Sequence, residues 1–143
     1  MIFKTTKHKK VKNTLFFPIR NVPDGDVLLV TGDFTSRRYS NQTEQVIEFN
    51  NWLGTLPHKY KIVIAGNNDV GFDSNYDKGN NGIADVMKNM LTNAIYLQDS
   101  SIEVYGLKIY GSPWVPYFRK DWAFAKHRGK VKCFHFHLNF SKI

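Results

Sequence analysis

The sequence predicts an α/β fold, and three observations carry that expectation. Val27-Leu28-Leu29-Val30-Thr31 is a continuous apolar, largely β-branched run, and Ile62-Val63-Ile64-Ala65 is a second. Runs of this kind suit strands buried on both faces, as in a parallel sheet. Between them lies a stretch with helical apolar spacing, and strand–helix–strand is the order of an α/β sheet.

Each element has a local reason. Asp24-Gly25-Asp26 is a turn signal that leads into the first strand, which stops at Gly32-Asp33. Asn41 can cap a helix, with Glu44 three residues on. Val46, Phe49, Leu53 and Leu56 follow at spacings of three and four, and Pro57 ends the helix. The second strand stops at Gly66-Asn67-Asn68-Asp69, and a polar, glycine-rich stretch runs over residues 70–82. Residues 83–91 read as a second helix and 95–97 as a short strand. Residues 102–105 and 107–110 read as strands joined near Gly106, the second broken by Gly111-Ser112-Pro113. An aromatic stretch follows: Trp114, Tyr117, Phe118, Trp122 and Phe124.

Composition bounds the function. The 143 residues are one domain's length, and 42% hydrophobic with 22% charged residues excludes a disordered chain. A single cysteine, Cys133, excludes an intrachain disulfide scaffold. No apolar run approaches the roughly 20 residues that span a bilayer, and Leu15-Phe16-Phe17 is cut off by Pro18. The expected location is intracellular and cytoplasmic, with no membrane partner. The net charge of +8 would suit a polyanion partner, but its distribution argues otherwise. Residues 1–12 carry +5 and residues 119–143 carry +6, whereas residues 13–118 carry −3.

Chemistry is expected at the carboxyl ends of the strands, where ligands bind in such sheets. Asp33 and Asn67 are hard oxygen donors 34 residues apart, one strand–helix–strand unit. Adjacent parallel strands would set them side by side. A carboxylate and an amide in that place could serve a two-metal site that clamps a phosphate ester. The preceding glycines would let the backbone turn sharply and leave space for metal. Equally, Gly-Asp and Gly-Asn-Asn-Asp are ordinary turn formers.

Longer strings narrow the choice. Gly32-Asp33-Phe34-Thr35-Ser36, Ala65-Gly66-Asn67-Asn68-Asp69 and Tyr110-Gly111-Ser112-Pro113-Trp114-Val115-Pro116, with Trp122-Ala123-Phe124 after them, resemble the calcineurin-like metallophosphoesterases. Within these the chain is most similar to the metallophosphoesterase-domain-containing (UPF0046) group. The resemblance spans residues 22–124. It implies a β-sandwich flanked by helices, a centre of two divalent metal ions such as Mn or Fe, and hydrolysis of phosphodiesters or phosphomonoesters. It implies that Asp33 bridges the metals and that Asn67 ligates one.

The departures from the family pattern carry weight too. Residues 1–23 offer no Asp-x-His pair. Asn68 stands where the family places a histidine that protonates the leaving group, and a neutral amide cannot donate as an imidazolium can. The later Gly-His-x-His motif has no counterpart. Phe134-His135-Phe136-His137, with Cys133 beside it, is either a tail without chemical role or a relocated metal pair. Trp114, Tyr117 and Trp122 are either packing or a stacking wall for a nucleotide.

The expected organisation is a basic segment over 1–21, a partial calcineurin-like phosphoesterase domain over 22–124 and a basic tail over 125–143. The expected fold is α/β, a partial sandwich of β-sheets flanked by helices. The expected function is a metal-dependent phosphoesterase domain, incomplete and weakly active or inactive, acting on a small phosphate ester or nucleotide. Metal binding by Asp33 and Asn67 alone is expected to be poor. Two alternatives stand beside it: a non-catalytic scaffold of the same fold, and a basic nucleic-acid-binding protein.

Overall fold

The computed structural model describes residues 22–38, 41–76, 82–127 and 137–140. Cys133, His135 and the basic segment 1–21 lie outside the described residues, as do most of the basic tail and the side chain of His137.

The first sheet is parallel, in the order β1-β2-β3, built from Val27–Thr31, Tyr60–Ile64 and Ile95–Tyr96. The second is antiparallel, in the order β4-β5-β8, built from Ser100–Val104, Leu107–Gly111 and His137–Phe140. A short parallel pair, β6 (Val115–Pro116) and β7 (Ala125–Lys126), completes the strands. Helix α1 (Gln42–Gly54) links β1 to β2, and α2 (Ile83–Asn89) precedes β3. Asn41 caps α1 by accepting the Glu44 N–H at 3.2 Å, as the sequence suggests. Leu56 lies past the end of α1, because the chain leaves the helix at Thr55.

Side-chain alternation along β2 divides the core into two layers. Val63 and Ala65 join Val30, Phe34, Val46, Phe49, Leu53 and Phe72 on the helix side. Ile62 and Ile64 point the other way, to Leu97 just past β3 and to Val104 and Ile109 of the second sheet. A strand covered on both faces reads as an unbroken apolar run, which is why β1 and β2 are legible. Each fully buried Phe, Leu or Ile contributes about 1.5–3 kcal/mol. Phe34 stacks on Phe49 at 4.4 Å and meets Phe72 edge-on at 5.1 Å. Phe34, from the segment after β1, is thereby anchored in the core.

Candidate functional site

Register brings the two strand ends together. Thr31 lies opposite Ile64 in the parallel pair, so the chain segments that follow, 32–36 and 65–69, emerge side by side. Gly32 has φ 90° and Asp33 φ 59°, two consecutive left-handed residues that turn the chain sharply. Asp tolerates that conformation better than most residues.

Asp69 holds the two loops together. Its side chain is fully buried. One carboxylate oxygen accepts the Thr35 N–H at 2.6 Å and the Thr35 hydroxyl at 2.8 Å. The other accepts the N–H groups of Asp33 at 2.7 Å and Gly66 at 2.6 Å. Such a cradle of turn N–H groups is a ready anion site, and here the protein's own carboxylate fills it. Burial pushes the Asp69 carboxyl up to about 7, although the bonds from Gly66 and Thr35 pull it down; the Asp33 charge adds to the rise. Sequence reasoning read Asp69 as a turn former. Its partners are mostly backbone amides, which leave no mark in residue identity.

Gly32 turns the chain sharply, as expected, but the room beside the glycines is used differently. A Cβ on Gly32 would lie 2.5 Å from the Gly66 nitrogen, and one on Gly66 would lie 2.5 Å from an Asp33 carboxylate oxygen. The space beside each glycine is taken by the opposite loop. The two turns interlock backbone to backbone, and the glycines permit that close approach.

Asp33 and the Asn67-Asn68 segment therefore meet: an Asp33 carboxylate oxygen accepts the Asn68 N–H at 3.0 Å. The Asn68 carbonyl accepts from the Gln42 amide at 3.3 Å, and Gln42 also accepts the Gly71 N–H at 2.7 Å, so the start of α1 fixes this turn. The Asn67 carbonyl accepts the Ala123 N–H at 3.0 Å. Asp73 accepts the Phe124 N–H at 2.6 Å. These bonds explain why Trp122-Ala123-Phe124 matters: Ala123 and Phe124 are buried, and their backbone is pinned to the loop that carries Asn67.

A cleft of about 550 Å³ has Asp73 in its wall. Trp114, Tyr117 and Trp122 line it, with Asp73, Lys120 and Lys126. The Lys126 ammonium lies 3.3 Å from the Trp114 ring centroid, a cation–π contact. Of the aromatic stretch, Phe124 is core, packed edge-on against Trp114 at 5.5 Å, and Phe118 is exposed. The volume falls within the range of small-molecule sites.

The family comparison agrees with this arrangement. The family described as calcineurin-like phosphoesterase matches residues 7–140. Metallophosphoesterase domain-containing protein 1 of Homo sapiens is 40% identical over 131 residues, covering 77% of this chain and 37% of its own length. A UPF0046 protein of Caenorhabditis elegans is 39% identical over 130 residues, covering 86% of this chain and 43% of its own. The fold and the match define a phosphoesterase-type domain. The chain belongs to the calcineurin-like phosphoesterase family, and it spans about two fifths of the length of these relatives.

Members of that family generally use divalent metals. Among the described residues, no group of three or more His, Cys, Asp or Glu side chains could hold one. Asp69 is buried and committed to four donors. That leaves the Asp33 carboxylate and the Asn67 amide, and two divalent ions need several ligands each. The described donors do not fit a dinuclear centre. Among the described residues, no helix is long and apolar enough to cross a membrane.

Proposed function

We propose that this chain is a phosphoesterase-type domain that keeps the strand-end frame and the neighbouring cleft, holds metal weakly, and hydrolyses phosphate esters weakly or not at all. Asp33 and Asn67 are the metal-facing positions that it contributes. The cleft receives the non-reacting part of a small phosphate ester or nucleotide, with Trp114, Tyr117 and Trp122 offering ring faces and Lys120 and Lys126 offering positive charge. The chain works in the cytoplasm, where Cys133 stays a thiol.

One observation carries this reading. The Asp33–Asn68 contact, locked by Asp69, holds the site's frame, while the donor set around it among the described residues is too small for two metals. Asn68 adds a second deficit, since it supplies no titrating proton donor. That same observation favours a second reading, a non-catalytic scaffold of the same fold.

Restoring the imidazole separates the two deficits. Hydrolysis of bis(p-nitrophenyl) phosphate with added Mn²⁺ is expected to stay near background in both the parent chain and Asn68→His. A clear gain in Asn68→His would mean that metal is already well held and that the missing acid is the only defect.

A further inference from the structure

Asp99 lies outside the cleft, yet three side chains converge on it, and one of them, Trp114, lines the cleft. It stands between β3 and β4 with φ 50°, a left-handed conformation that Asp adopts more readily than most residues. One carboxylate oxygen accepts the Ser112 hydroxyl at 2.8 Å and the Tyr110 hydroxyl at 3.3 Å; the other accepts the Trp114 indole N–H at 2.6 Å. Tyr110, Ser112 and Trp114 alternate along the chain, so an extended segment presents all three on one side. A single acid then fixes the whole exit from β5 into β6.

The consequence reaches the cleft through Trp114. An indole has one polar atom, its N–H. The Asp99 bond and the edge-on contact with Phe124 therefore set the plane of the ring. Lys126 sits over the face so defined, and its backbone is tied to the same segment, for the Tyr117 N–H donates to the Lys126 carbonyl at 2.6 Å. A carboxylate drawing on the indole N–H also makes the ring face a better seat for an ammonium, since linked polar contacts polarise one another.

We propose that Asp99 is the positioning residue of the cleft: through the Trp114 indole it sets the place of the Lys126 ammonium that meets an anionic ligand, without touching that ligand. The ligand class, a phosphate ester, rests on the function proposed above; the clamp itself does not.

The test compares Asp99→Gly, Asp99→Asn and Trp114→Phe. Glycine removes the carboxylate and suits the left-handed backbone. Asparagine keeps an acceptor for the indole and suits it as well. The near-ultraviolet dichroism band lost in Trp114→Phe identifies the clamped indole. Asp99→Gly is expected to lose that band and Asp99→Asn to retain it. Phenyl phosphate, titrated against tryptophan fluorescence, is expected to bind about tenfold more weakly to Asp99→Gly and to Trp114→Phe, as for loss of one charged hydrogen bond. Asp99→Asn should stay within about threefold of the parent on the same grounds. An unchanged band in a folded Asp99→Gly would overturn the clamp. Parent-like affinity in Trp114→Phe would overturn its role in the cleft, even if Asp99→Gly did not fold. If the parent chain fails to bind phenyl phosphate, the phosphate-ester reading and the claimed role in ligand binding both fail, while the dichroism still decides the clamp.

Discussion

Asp69 binds Thr35 twice, through the backbone N–H at 2.6 Å and the side-chain hydroxyl at 2.8 Å, and so ties the loop after β2 to the loop after β1. Its second oxygen bonds Asp33 and Gly66. Above about pH 7, where Asp69 is ionised, all four bonds are donated to an acceptor with no hydrogen of its own.

Asp69→Asn is therefore expected to be severe despite its shape. An amide must turn its NH₂ toward two groups that are themselves donors. Leaving buried donors unpaired beside it costs about 3 kcal/mol. Urea unfolding of the metal-free chain at about pH 8 checks this; a loss under about 0.5 kcal/mol, the range of an ordinary surface change, would show that the cradle is soft.

The same residue makes stability depend on pH. Its folded value of about 7 lies above the ordinary 3.8. Between those values the folded chain holds a proton that the unfolded chain has lost. The contribution is full below about 4 and declines as pH rises through about 7. Unfolding midpoints of the metal-free chain across pH 4–8 should show that decline, with a slope of at most one proton. Asp69→Asn should lack it.

Gly32→Ala and Gly66→Ala should both destabilise, each by about 2 kcal/mol or more, because the new Cβ meets the opposing loop at 2.5 Å. Gly106→Ala is the control. It also has a positive φ, 72°, but nothing lies within 4 Å of its Cβ, so only the backbone cost of about 1–2 kcal/mol applies. Gly66 has no positive φ, so a loss at Gly32 no larger than at Gly106, together with no loss at Gly66, would mean that the interlock contributes nothing.

Much of this frame is legible in the residues. Strand β1 reads clearly because its apolar run is bounded by Asp24-Gly25-Asp26 and Gly32. The 34-residue spacing of Asp33 and Asn67 anticipates their neighbouring strand ends, since helix α1 must return the chain to a parallel partner. Strand β2 begins at Tyr60, earlier than its apolar run, because Tyr60 and Lys61 are half-exposed at its start. Strands β6 and β7 have two residues each, too short for any periodicity to show. Asp69 and Asp99 escape notice for a common reason. Each is a lone acid in a turn, and its importance comes from donors distant in the chain or carried by the backbone.

The proposed state of the site is an intact strand-end frame with too few metal ligands. Metal content after Mn²⁺ loading and desalting tests it most directly. The expected result is well under one equivalent of Mn per chain, with Asp33→Ala no lower than the parent within error. Two equivalents retained by the parent chain, and lost in Asp33→Ala, would contradict it.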